Sequence, residues 1–180
     1  MVVVFALIIG CQKTEEPKTD AAIAEKPIAE IVDVDALDYV CIPFKGDYAN
    51  HEKVIGELMQ AIGEQQITPQ GPMIGIYYNN PQKIPAEELL WEIGFPVAEE
   101  LHAAEPLVRK KCGFTKVAKA LYKGPFEQVD QMYPKIFECI GKQKMNPAGP
   151  IMERFLSDPQ AVEPENLETE IWVSVSELPE

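Results

Sequence analysis

Histidine is nearly absent, with two in 180 residues, so a metal centre built on imidazoles has too few ligands. Four cysteines are too few for the disulfide framework of a small secreted domain. Basic residues are also scarce: sixteen Lys and Arg stand against twenty-nine Asp and Glu, a net charge of −13. Nucleic-acid binding rests on a basic footprint, so no nucleic-acid partner is expected, whereas neutral or cationic ligands suit the surface. No apolar run reaches the roughly 18–20 residues of a spanning helix. What is present is a 46 % hydrophobic chain with 25 % charged residues, the proportions of a globular protein with a real core. Its length fits one domain, or two half-size units sharing a core.

Val2–Ile9 is an uninterrupted apolar run that ends in Ile8-Ile9-Gly10-Cys11. A short apolar stretch closed by a small residue is the pattern of a secretory signal. Its form, apolar–apolar–Gly–Cys, resembles the lipobox of bacterial lipoproteins. That resemblance implies cleavage after residue 10, lipid on Cys11, and an extracytoplasmic, membrane-anchored protein, with Gln12 favouring the outer membrane where the cell has one. Gln12–Asp38 carries eight acids, three lysines, two prolines and no aromatic residue. Such a composition buries too little apolar surface to offset its ordering entropy, and residues 11–37 are expected to be a flexible tether ahead of a domain over 38–180.

Within that domain the chain repeats itself. Shifted by 78 residues, Lys45–Val97 aligns without a gap on Lys123–Val175. Fifteen positions are identical, and they fall on turns and strand ends, where backbone geometry dictates the residue. Lys45-Gly46 matches Lys123-Gly124, Pro69-x-Gly71-Pro72 matches Pro147-x-Gly149-Pro150, and Glu92-Ile93 matches Glu170-Ile171. Asp38–Phe44 and Thr115–Tyr122 read as strands. Each is followed by an amphipathic helix: Val54, Ile55, Leu58, Met59 and Ile62 in one, Met132, Tyr133, Ile136, Phe137 and Ile140 in the other, all at helical spacing. Pro134, lacking an N–H, predicts a kink or restart in the second helix. Met73–Tyr78 and Ile151–Leu156 follow as second strands, Leu89–Val97 and Leu167–Val175 as third. The expected fold is therefore α+β. Two strand–helix–strand–strand repeats (38–97 and 112–175, joined by a connector over 98–111) share an antiparallel sheet with both helices on one face.

Gly149 to Pro159, read as Gly-Pro…Glu-x-Phe-x-x-Asp-Pro, and Pro164 to Val173, read as Pro-Glu-x-Leu-x-Thr-Glu-Ile-Trp-Val, resemble the GyrI-like domain. This module also serves as the effector-binding part of AraC- and MerR-type regulators. The resemblance spans about Asp38–Val175. It implies two repeats about a pseudo-twofold axis and a small, often cationic and aromatic ligand between them. A few members are hydrolases of reactive small molecules, and haem-binding SOUL proteins are distant relatives. The family usually has Tyr where this chain has Phe155.

Period-two alternation sends Leu167, Thr169, Ile171, Val173 and Val175 towards the helices and Glu168, Glu170, Trp172 and Ser174 away from them. Glu92 matches Glu170. On the neighbouring strand Ile151, Glu153 and Phe155 share a face, matched by Met73, Gly75 and Tyr77. Carboxylates beside aromatic rings in a partly dry groove suit a hydrophobic cation through Coulomb attraction and cation–π contacts. Glu170, Glu153, Glu92, Trp172, Tyr77 and Phe155 are accordingly the expected ligand-binding residues, in one groove on the face away from the helices. No cofactor or metal is called for. The reading is a small-molecule-binding protein needing no catalytic activity. The alternatives are a hydrolase using a groove carboxylate as base, or a haem carrier, for which only His51 and His102 could serve. Cys41, Cys112 and Cys139 leave the disulfide state open.

Overall fold

The computed structural model describes residues 27–177; the signal-like run, Cys11 and most of the tether lie outside them. The described chain runs β1 (Glu30–Asp33), β2 (Leu37–Lys45), α1 (His51–Glu64), β3 (Ile74–Tyr77), β4 (Leu90–Pro96), β5 (Val108–Cys112), β6 (Lys116–Lys123), α2 (Tyr133–Lys142), β7 (Met145–Phe155) and β8 (Glu168–Glu177). All eight strands join one antiparallel sheet in the order β1-β6-β8-β7-β3-β4-β2-β5, so the fold is α+β.

Both helices cover the same face. On α1, Val54, Leu58, Ala61 and Ile62 are buried against Val40 and Ile42 of β2 and Trp91 and Ile93 of β4. On α2, Ile136 and Ile140 pack on Ala118 and Ala120 of β6 and Ile171, Val173 and Val175 of β8. Burying one apolar stripe per helix is what fixes these segments as helices on a sheet. Gly56 leaves α1 unbroken. Pro134 acts as a restart: a 3-10 stretch over Phe126–Met132 gives way to α-helix at Tyr133, which puts the proline in a first turn that needs no N–H from it. Met59 and Phe137, expected in the core, are instead 52 % and 40 % exposed; each sits at the edge of its helix stripe.

The opposite face is covered by its own apolar cluster, which includes Tyr39, Cys41, Ile74, Ile76, Cys112, Phe114, Val117 and Met152, with Trp172 packed against it.

Two further segments differ from expectation. Residues 30–33, counted with the tether, form the edge strand β1 on β6. Ala29 is buried there, and its carbonyl accepts from Gln143 Nε2 at 3.4 Å. The acids around this segment mask the apolar Ile31, Val32 and Val34. The connector ends in β5, which pairs with β2. Its Arg109-Lys110-Lys111 looks too charged for a strand, but each cation finds a carboxylate: Asp38, Glu92, and Asp38 with Glu99. Both edges pair in matching register, Glu30 with Lys119 and Val108 with Cys41. Cys41, Cys112 and Cys139 are free thiols. Cys112 stands opposite Leu37 and Cys41 opposite Val108, which separates the two along the ladder by about 13 Å.

Candidate functional site

The strands β3 and β7 meet at the middle of the sheet, where Gly75 lies opposite Glu153. A Cβ on Gly75 would stand 2.6 Å from the Tyr77 hydroxyl and 3.0 Å from its ring. Glycine thus leaves the room in which Tyr77 folds back along its own strand. Glu153, 4 % exposed, receives a hydrogen bond from the Tyr133 hydroxyl on α2, and the Tyr77 hydroxyl is near enough to its carboxylate to pull its pKa down. Tyr77 Oη lies 3.2 Å from His51 Nε2 at the start of α1. Tyr48 packs edge-on to Tyr77 with centroids 5.4 Å apart. The His51 ring lies 4.3 Å from Trp91, whose Nε1 donates to the Gly46 carbonyl at 2.8 Å.

Among the described residues no Lys or Arg pairs with Glu153. Burial pushes its pKa up to about 7, against the pull of the Tyr133 and Tyr77 hydrogen bonds. Burial, and then the charge of Glu153, pushes the Tyr77 and Tyr133 phenols up. Burial lowers the His51 pKa, favouring the neutral ring. The centre is therefore a carboxyl poised near neutrality within a wall of rings. It can exchange a proton, or exchange that proton for a ligand's positive charge.

The other carboxylates lie on the far side of the sheet. Residues directly opposite in paired strands share a face. Glu153 stands opposite Ile171, and Arg154 opposite Glu170, so Glu153 faces the helices and Glu170 does not. The single groove expected from the sequence is thus corrected. Glu153, Tyr77 and Phe155 belong to the helix side, and Glu92, Glu170 and Trp172 to the reverse. Phe155 packs on Phe126 with centroids 5.2 Å apart.

On the reverse side both carboxylates are already neutralised. Glu170 is bound by Lys119 at 2.6 Å and by Arg154, and accepts from Trp172 Nε1 at 2.9 Å. The Arg154 guanidinium lies over the Trp172 ring at 4.8 Å, so the aromatic face offered to a ligand is occupied from within. Glu92 accepts from Tyr39 at 2.6 Å, Tyr78 at 2.8 Å and Lys110. Sequence reasoning missed Tyr133, Tyr48 and Trp91 as site residues, and weighed His51 only as a haem ligand. A tyrosine in the apolar stripe of a helix was the available signal, because its buried hydroxyl needs a partner. His102 is exposed, and no group of three or more His, Cys, Asp or Glu among the described residues is placed to hold a metal ion.

The profile of the GyrI-like small molecule binding domain matches residues 29–176. The chain belongs to the GyrI-like family. Solved structures share the GyrI-like fold at low identity. The C-terminal domain of EcmrR aligns with a TM-score of 0.73 at 12 % identity, over 83 % of this chain and 98 % of that one. A hydrolase from Listeria innocua gives 0.64 at 13 %, over 86 % and 94 %. SAV2435 bound to tetraphenylphosphonium gives 0.54 at 13 %, over 82 % and 93 %. Among curated proteins none is similar to the chain in sequence. As a GyrI-like domain the protein is a small-molecule binder, and the match begins at Ala29, next to β1.

Proposed function

We propose that the domain binds a small cation carrying aromatic or aliphatic bulk. The charge would be set against Glu153 and the bulk among Tyr48, Tyr77, Trp91 and Tyr133. The site would lie between two repeats related by a pseudo-twofold axis through the Gly75–Glu153 pair. The observation that carries this is a carboxylate 4 % exposed, beside the Tyr77 and Tyr133 rings and paired with no Lys or Arg among the described residues. A buried charge lacking a partner is costly, so an entering cation gains what the protein withholds. That SAV2435 was solved with tetraphenylphosphonium supports the ligand class.

Calorimetric titration of the full chain with tetraphenylphosphonium at pH 8 and pH 5.5 tests it. Binding that weakens by about tenfold or more at the lower pH, and is lost in Glu153→Gln, is the expected result. Equal affinity in wild type and Glu153→Gln would overturn the reading.

A second reading, hydrolysis of a small electrophile with Glu153 as general base, is favoured by the same pKa near 7 beside two phenols, since a base works best near the operating pH. Turnover abolished in Glu153→Gln would select it. For the N-terminal segment, we propose lipid on Cys11 and an extracytoplasmic location; membrane fractionation of Cys11→Ala, with wild type recovered only in the cytosol, would reject both.

A further inference from the structure

A cavity opens on the reverse face. It has a volume of about 150 Å³ and is lined by Tyr39, Ile76, Tyr78, Cys112, Phe114 and Pro150, among others. A cavity of about this size holds one benzene-sized ring.

Its polar wall has a fixed sense. Glu92 is 1 % exposed, and its Oε1 takes the hydroxyl protons of both Tyr39 and Tyr78. Lys110 occupies Oε2. A hydroxyl has one proton and two lone pairs. With both protons committed to Glu92, the two phenol oxygens have only lone pairs to offer the cavity, and donation into a carboxylate strengthens them as acceptors. Lys111 stands opposite Asp38 and on the same face as Val40 under α1, so its ammonium, held by Asp38 and Glu99 at 3.6 and 3.5 Å, lies on the helix side of the sheet. An anionic ligand would face the Glu92 carboxylate behind the two phenols, and a cation would compete with Lys110. Ile76, Phe114 and Pro150 supply its apolar side.

From this arrangement we infer a second ligand site, on the face opposite Glu153. It takes a neutral single-ring molecule bearing one O–H or N–H donor, such as a phenol or an aniline. The ring lies against Phe114, Ile76 and Pro150, and the donor bonds to the Tyr39 and Tyr78 oxygens. Tyr78, 45 % exposed, forms the outer side of the opening. The inference is independent of the Glu153 reading, because no residue is shared.

The test is a titration of the ¹⁵N-labelled full chain with phenol and, in parallel, with toluene, followed by amide chemical shifts. Phenol is expected to move the amides of Cys112, Gly113, Phe114 and Tyr78 and to bind about 3–10-fold more tightly than toluene, the worth of one neutral hydrogen bond. Tyr78→Phe should remove that preference while leaving toluene unchanged. Glu153→Gln should bind phenol as wild type does. Equal affinity for phenol and toluene in wild type would overturn the proposal. So would shifts centred on Tyr77 and Tyr133.

Discussion

Gly75 and Glu153 stand directly opposite one another in the β3–β7 ladder and 78 residues apart in the chain. The same place in the two matching segments is bare backbone in one and the buried carboxylate in the other. Two carboxylates there would stand about 5 Å apart and repel. Glycine leaves one charge and a space for Tyr77, so the centre of the sheet is chemically one-sided although its strands are matched.

The raised pKa of Glu153 makes stability depend on pH. Its native value of about 7 lies above the ordinary 4.5. Between those values the folded state holds the proton that the unfolded chain has lost. Stability therefore falls as pH rises through this window, by about 3 kcal/mol in all. Glu153→Gln should match wild type near pH 5 and melt about 5–10 °C higher at pH 8, as scanning calorimetry across this range would record.

Glu170 should behave in the opposite sense. Burial works to raise its pKa, but Lys119 and Arg154 outweigh burial and hold it below the usual carboxylate range. Its contribution is present above the unfolded value and is lost as pH falls through the depressed native one. Glu170→Gln strands two cations and should cost about 2 kcal/mol at pH 7. Urea denaturation should show that deficit shrinking towards pH 3, with tetraphenylphosphonium affinity unchanged at pH 8.

Two strand glycines should respond differently to alanine. At Gly94 a Cβ would overlap the Val40 carbonyl oxygen and stand 2.9 Å from Cys41 Cα; backbone cannot swing aside, so β2 and β4 must separate. A loss of about 3 kcal/mol is expected in denaturant unfolding. At Gly75 the obstacle is only the Tyr77 ring, which can rotate outward, for about 1 kcal/mol. Removing that hydroxyl from Glu153 should move the carboxyl pKa above 7, readable in a ¹³C titration.

The helices, six of the eight strands and the turn glycines were legible because local periodicity dictates them. The restart at Pro134 followed from a missing N–H. For the candidate site, the sequence grouped residues along each strand but not the faces those groups occupy. Alternation along β7 puts Glu153 with Phe155, and alternation along β8 puts Glu170 with Trp172. Which pair faces the helices depends on Glu153 standing opposite Ile171, a register that neither strand carries by itself. The cations that silence Glu92 and Glu170 come from β5, β6 and β7, remote in sequence. β1 and β5 escaped because their charges, unremarkable for a tether, are satisfied only once the partner strand arrives.

The exchanged edges have a mechanical consequence. β1 lies in the first half of the chain and closes the sheet beyond β6, while β5 lies in the second half and closes it beyond β2. Each half is clasped by a strap belonging to its neighbour, so neither can loosen without stripping the other's border. The molecule should therefore melt in a single cooperative step, and a nick in the loop between β4 and β5 would leave two pieces that still hold each other.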